Sequence, residues 1–103
     1  MIAATSFGTR RGPWIVGTTG LAAAGFYDLV RQPPDSRAPE RDVMGVLDLA
    51  CRQITAAAPF APGQIAALRG DIVRLVPVTS PRWRRRLRRL YGRPVPVLRV
   101  ETA

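Results

Sequence analysis

The chain has 103 residues, of which 47% are hydrophobic, and a formal net charge of +9. This length is enough for one small domain with a modest core and leaves little room for a second. With one cysteine and no histidine, the sequence excludes an internal disulfide, a zinc site of the usual Cys and His ligands, and a Ser-His-Asp catalytic triad.

The basic residues are concentrated in the last third of the chain. All sixteen are arginine, and nine of them lie between Asp71 and Glu101, where there is no acidic residue. The other seven arginines are balanced by seven carboxylates, so this segment carries the whole excess charge. A localised basic patch attracts polyanions or anionic lipid, although a solvated helix face is the more common origin of such a charge run.

Residues 1–30 are predicted to form a hydrophobic N-terminal segment. Its uncharged run GPWIVGTTGLAAAGFY follows two arginines and is shorter than the roughly 20 residues that span a bilayer as a helix. The stretch TRRGPWIVGTTGLAAAG resembles a twin-arginine export signal, with Gly12 and Pro13 in place of the hydrophobic pair expected soon after the arginines. The alternatives are a membrane anchor or a part of the globular core, with a short strand at Trp14 to Val16 followed by a helix.

Residues 31–40, RQPPDSRAPE, are interpreted as a linker because they combine three prolines with mixed charges and lack apolar periodicity. A small basic α/β domain is predicted over residues 41–103. Apolar side chains recur at helical spacing in its first part and predict a helix from about Pro39 to Ala58. The stretch PFAPG ends this helix, and QIAALRG is expected to supply a further helical turn or two.

A strand, a helix and a second strand are predicted next. Asp71 to Val78, DIVRLVPV, alternates and is rich in β-branched residues, which is typical of a strand. The helix has Ser80 as N-cap, Pro81 at its first position and Gly92 as its C-terminal stop. Val95 to Val100 then forms the second strand, so the prediction is a βαβ unit or a close relative of it.

Within the predicted helix, one stripe is apolar and six arginines cover the remaining surface. This surface is assigned as the contact for an anionic partner. The stripe consists of Trp83, Leu87, Leu90 and Tyr91, and the contact residues are Trp83, Arg82, Arg84, Arg85, Arg86, Arg88 and Arg89.

The run DIVRLVPVTSPRWRRRLRRLYGRPVPVLRVE resembles the second strand, second helix and third strand of the thioredoxin fold. It is most similar to small glutaredoxin-like proteins, in which a helix ends in Tyr-Gly and the next strand begins with a valine, a proline and an apolar run. The resemblance implies an incomplete thioredoxin-like domain with Pro96 as a cis-proline that receives extended substrate backbone. Val95 and Arg93 would complete the substrate site, and Arg93 and Arg99 would steer an acidic partner such as glutathione, the co-substrate.

Cys51, in ACRQI, is the candidate catalytic nucleophile, and the absence of a second cysteine limits it to monothiol chemistry. Such a role needs the cysteine at a helix N-terminus, where the dipole favours the thiolate. The periodicity instead places Cys51 in the middle of the first helix, where a lone cysteine is usually a small core residue. An alternative parse takes VMGVLDL as the first strand and Cys51 as a residue soon after it, as the family requires.

The favoured function is a thioredoxin-fold, glutaredoxin-like protein with at most monothiol redox activity, or a non-catalytic binding module for an acidic protein partner or glutathione. The first alternative is a small membrane-associated accessory subunit whose arginine-rich helix contacts lipid headgroups or a partner. The second is a basic nucleic-acid-binding protein that uses phosphate contacts with aromatic stacking. No metal or resident cofactor is predicted. The predicted location is cytoplasmic or membrane-associated, with export as an alternative.

Overall fold

The computed structural model describes residues 3–9, 12–32 and 39–103. Within these ranges the chain forms six strands, two α-helices and a short 3-10 helix at Ala22–Ala24. The helices are α1 (Pro39–Ala56) and α2 (Pro81–Tyr91). The strands are β1 (Ala3–Thr9), β2 (Gly12–Thr19), β3 (Asp28–Arg31), β4 (Ile65–Leu68), β5 (Asp71–Pro77) and β6 (Val97–Thr102).

The six strands of the described residues pair in one mixed sheet, in the order β1-β2-β3-β6-β5-β4. β3 and β6 run parallel, with Leu29 opposite Leu98, and every other neighbouring pair runs antiparallel. The prediction of a small α/β domain is therefore confirmed.

α1 packs on one face of the sheet through side chains that recur one helical turn apart. Val46, Leu49 and Ala50 are fully buried, and they share a core cluster with Leu29 of β3 and Leu98 of β6. This is the apolar stripe expected of an amphipathic helix on a sheet. The predicted helix is thus confirmed.

Gly45 allows α1 to approach β4 closely. A Cβ atom at this position would lie 2.7 Å from Cγ of Leu68, which is closer than Cβ atoms approach other heavy atoms in proteins. Leu68 is itself buried, so its side chain cannot move into solvent to make room. A glycine is therefore required for this packing.

α2 packs on the opposite face of the sheet. Trp83 and Leu87 are buried there in a second core cluster with Ile15 of β2 and Val30 of β3. The helix ends at Gly92, which adopts the left-handed conformation with a φ of 70°. The predicted ends of this helix and its apolar stripe are therefore confirmed.

The β4 and β5 half of that second face is open. Val73 and Leu75 belong to the α1 cluster, so the residues that alternate with them on β5 point to the opposite side. Ile72 of β5 is 55% exposed and Ile65 of β4 is 56% exposed. The sheet therefore has one covered face and one that α2 covers only in part.

QIAALRG contains a strand, so the prediction of further helical turns is wrong. β4 pairs antiparallel with β5, and the two residues that join them, Arg69 and Gly70, have φ values of 48° and 91°. Positive φ at both central residues is the geometry of the type I′ turn in tight hairpins. Four residues between two turns are too few for a stable helix, whereas pairing with β5 satisfies their backbone groups.

The prediction of a βαβ unit is also wrong, because β5 and β6 are direct neighbours and run antiparallel, with Leu75 opposite Val100. A βαβ unit joins parallel strands. α2 begins beside the end of β5, and at its other end the Tyr91 hydroxyl donates a hydrogen bond to the carbonyl oxygen of Thr18, near the end of β2. The helix therefore crosses the strands instead of running back along them, and β6 starts at the end of the sheet where β5 stops.

Within the predicted N-terminal segment, residues 12–19 and 28–30 belong to strands of the sheet. β2 pairs with β1 and β3, and Leu21 and Leu29 are fully buried in the α1 cluster. The described ranges contain no helix that is both long and apolar enough to cross a membrane. The two arginines of the export-like signal, and residues 33–38 of the predicted linker, lie outside the described residues.

Candidate functional site

A cavity of about 390 Å³ opens at the end of the sheet where β5 stops and β6 begins. Its floor consists of Leu87 of α2 with Val97 and Leu98 of β6. α2 contributes Arg84, Leu87 and Arg88 to the lining, and the segment from Arg93 to Pro96, which leads into β6, contributes all four of its residues. Tyr27 closes the cavity from the β3 side. We call this cavity the arginine cleft.

Three arginines, Arg84, Arg88 and Arg93, line the arginine cleft, and all three are exposed. Arg84 and Arg88 are four residues apart and so lie on the same side of α2. The described lining of the cleft contains no carboxylate. The ion pairs observed among the described residues involve other arginines, namely Arg31, Arg41, Arg69 and Arg99.

The structure brings together three residues of the predicted substrate site. Arg93, Val95 and Pro96 all line the arginine cleft. The prediction of a cis-proline is wrong, because the described residues contain no cis peptide bond. The peptide bond before Pro96 has the ordinary trans form. The carbonyl oxygen of Pro96 accepts a hydrogen bond of 3.1 Å from the backbone N–H of Asp28.

Cys51 lies elsewhere in the molecule. It occupies the interior of α1, far from the N-terminus of that helix at Pro39, and it is exposed. The mid-helix prediction is therefore confirmed, and the parse of VMGVLDL as a strand is wrong. Cys51 is not a core residue, however, because the buried row of α1 runs through Ala50 and Gln53 instead. It is not among the residues that line the arginine cleft.

The remaining residues of the predicted anionic contact lie outside the arginine cleft. Trp83 is buried, and the guanidinium groups of Arg86 and Arg99 lie 5.4 Å and 5.3 Å from the centre of its ring. The Trp83 ring is therefore not an exposed stacking surface. The arginines of α2 that neither line the cleft nor stack on Trp83 are exposed: Arg82, Arg85 and Arg89.

Gln53 is a functional candidate that the sequence reasoning missed. Its side chain is buried and makes both backbone hydrogen bonds of Tyr27: Nε2 donates to the Tyr27 carbonyl oxygen at 2.9 Å, and Oε1 accepts from the Tyr27 N–H at 3.2 Å. Oε1 also accepts from the Phe60 N–H at 3.1 Å. Gln53 therefore fixes the Tyr27 wall of the cleft. The sequence does carry a signal for this role, because Gln53 is a polar residue three positions after Ala50 and therefore lies on the core-facing row of α1.

Asp28 is a second missed residue, and it organises the chain beside the cleft. Its buried carboxylate accepts hydrogen bonds from the Thr18 hydroxyl at 3.0 Å and from the backbone N–H groups of Leu21 and Ala22 at 3.2 Å and 3.3 Å. Burial, together with the nearby charge of Asp28, raises the pKa of the Tyr91 hydroxyl above its ordinary value. Tyr91 stays protonated and anchors the end of α2, just before Arg93.

Comparison of the chain with models of protein families, with curated proteins and with solved structures finds no match. Inference about function therefore depends on the site itself.

Proposed function

We propose that the protein is a non-catalytic binding module that recognises an anionic ligand in the arginine cleft. The observation that carries the proposal is the composition of the cleft, whose described lining combines three exposed arginines with apolar residues and contains no carboxylate. Guanidinium groups without internal partners can bind carboxylate or phosphate groups bidentately. The excess charge between Asp71 and Glu101 would also attract such a ligand toward this surface.

Monothiol redox chemistry has less support than binding. The glutaredoxin-like resemblance requires a thiol that faces Pro96, whereas Cys51 is in the interior of α1 and outside the described lining of the cleft. We retain from the resemblance the part that the cleft supports, which is ligand contact by Arg93, Val95 and Pro96. Under this proposal an acidic partner or glutathione would be bound and not chemically changed.

Nucleic-acid and membrane binding through α2 also have less support. Both modes use aromatic or leucine side chains that are available at the surface. Trp83 and Leu87 pack on the sheet instead, and the Tyr91 hydroxyl is engaged with Thr18. What α2 offers to a partner is therefore guanidinium groups.

The proposal is tested by calorimetric titration of the wild-type protein and two double variants with a short oligoglutamate peptide. Arg84→Gln with Arg88→Gln removes two arginines of the cleft, and the matched control, Arg82→Gln with Arg85→Gln, removes two from outside it. Exposed ion pairs contribute up to about 1 kcal/mol each, so we expect the cleft variant to bind roughly tenfold more weakly. The control variant has the same net charge and should keep most of the wild-type affinity.

Two results would overturn the proposal. Equal losses in the two double variants would mean that binding follows overall charge and not the cleft. Absence of measurable binding to oligoglutamate and also to inorganic tripolyphosphate, at low ionic strength, would mean that the cleft does not bind anions. Circular dichroism of each variant checks that α2 is intact before the affinities are compared.

A further inference from the structure

We infer that the ligand of the arginine cleft is an extended peptide segment in which an acidic residue is close to a large apolar residue. The acidic side chain would face Arg84, Arg88 and Arg93, and the apolar side chain would enter a neighbouring cavity beside Phe26. This inference rests on the proposed function and names the class of partner. The observation behind it is that two adjoining cavities differ in the charge of the side chains that line them.

The second cavity has a volume of about 280 Å³. Tyr27 and Pro96 line both cavities, so the two adjoin at these residues, and we refer to them together as the groove. The rest of the second cavity is lined by Ala22, Gly25, Phe26 and Pro59. We call it the Phe26 cavity.

The two ends of the groove differ in charge. The arginine cleft has three guanidinium groups, whereas the described lining of the Phe26 cavity has no charged side chain. Tyr27 is the one residue of that described lining whose side chain has a polar group. A small inorganic anion would leave this apolar end in contact with water. A ligand that fills the whole groove must therefore carry its negative charge at one end and apolar surface at the other.

The same arrangement disfavours a nucleic-acid strand. A strand carries a phosphate at every nucleotide, and the apolar end of the groove offers no positive charge to a second phosphate. Recognition of an unstacked base also uses hydrogen bonds to its edges as well as stacking. A peptide matches both ends when an acidic residue, for the arginine cleft, is close in sequence to an aromatic or aliphatic residue, for the Phe26 cavity.

The groove is also held in place before a ligand arrives. Gln53 fixes the backbone of Tyr27, and Pro94 and Pro96 restrict the segment that leads into β6 through their fixed φ angles. A preformed groove avoids much of the ordering cost of binding. Docking of an extended segment by side-chain pockets is a common mode of peptide recognition.

The test compares three synthetic peptides of equal length in calorimetric titrations. The first contains two glutamates and a phenylalanine, the second replaces the phenylalanine by alanine, and the third replaces the glutamates by glutamine. Burial of a phenylalanine ring predicts that the first peptide binds at least about tenfold more tightly than the second. The third peptide should bind too weakly to measure.

Two single variants then locate the apolar contact. Ala22 and Ala23 are consecutive in the 3-10 helix, and of the two only Ala22 lines the Phe26 cavity. Ala22→Met should fill the cavity, so the phenylalanine peptide should no longer bind more tightly than the alanine peptide. The affinity of the alanine peptide itself should not fall. Ala23→Met makes the same chemical change at an exposed neighbouring residue. This variant should still bind the phenylalanine peptide more tightly than the alanine peptide.

The outcomes separate failure of this inference from failure of the proposed function. Equal affinities of the phenylalanine and alanine peptides, both sensitive to the Arg84 and Arg88 double variant, would overturn the inference and leave the proposed function standing. Tighter binding of a single-stranded oligonucleotide, or of vesicles with anionic lipid, would also overturn it. If every acidic peptide binds that variant and its Arg82 and Arg85 control with equal affinity, both the inference and the proposed function are wrong.

Discussion

The two faces of the sheet use polar side chains in opposite ways. On the α1 side, Arg31 and Gln53 are buried and hydrogen-bonded to partners inside the molecule. On the α2 side, arginines such as Arg84 and Arg88 are exposed and have no described ion pair. The difference shows that residue type does not decide the role of an arginine here. Arg31 differs from Arg84 and Arg88 in that a carboxylate of the same chain, that of Asp42, lies within hydrogen-bond distance of it.

Arg31 is the strongest example on the α1 side. Its side chain is 2% exposed, and Nε lies 2.6 Å from an Asp42 carboxylate oxygen. Nη1 donates to the Val100 carbonyl oxygen at 3.3 Å, and Nη2 donates to the Thr102 hydroxyl at 3.0 Å. This network joins the end of β3 to the first turns of α1 and to β6.

Breaking the network should have the largest effect on stability. Arg31→Met removes one partner and leaves the Asp42 carboxylate buried without a counter-charge, which costs about 3–5 kcal/mol of the free energy of unfolding. Urea denaturation followed by circular dichroism measures this loss.

Replacing both partners by apolar residues tests the cause of that loss. The double variant Arg31→Met with Asp42→Leu removes the uncompensated charge, so it should be clearly more stable than Arg31→Met alone. A double variant no more stable than the single one would mean that the hydrogen bonds of Arg31 to β6, and not its pairing with Asp42, dominate the contribution.

A smaller effect is expected at Gln53, where the partners are backbone groups. Gln53→Leu keeps most of the volume and removes three hydrogen bonds to Tyr27 and Phe60. These backbone groups are partly buried, so we expect a loss of about 2 kcal/mol, measured by urea denaturation. Arg52→Leu, at the exposed neighbouring position, is the control and should change stability by less than about 0.5 kcal/mol.

Gln53→Leu also tests whether a residue on the α1 side affects the arginine cleft, because Gln53 binds the backbone of Tyr27 and Tyr27 lines the cleft. If Gln53 positions Tyr27, the variant should bind acidic peptides more weakly even where it is fully folded. Unchanged affinity would limit the role of Gln53 to stability.

Much of the local structure could be predicted from the sequence, because its signals are local. Ser80, Pro81 and Gly92 mark the ends of α2, and the spacing of apolar residues locates both helices. The position of Cys51 in mid-helix follows from the same spacing. β4 could not be predicted in this way, since its pairing with β5 and not its own residues determines its conformation.

The candidate site was predicted only in part. The resemblance selected Arg93, Val95 and Pro96, which do line the cleft, but it joined them to Cys51, which does not. The predicted anionic contact groups the arginines of α2 as one set, although the apolar stripe of the helix separates Arg84 and Arg88 from the others. The burial of polar groups such as Asp28 depends on partners distant in sequence, and single-residue patterns do not reveal those partners.

The smallest effect is expected for the exposed arginines of α2, and it completes the comparison with Arg31. The double variant Arg82→Gln with Arg85→Gln removes two positive charges that are three residues apart on one helix and repel each other. Relief of this repulsion should leave the free energy of unfolding unchanged or raise it by up to about 0.5 kcal/mol. Salt screens such repulsion, so any gain should be largest at low ionic strength in urea denaturation. A loss of more than about 1 kcal/mol would mean that these two arginines support the fold as Arg31 does.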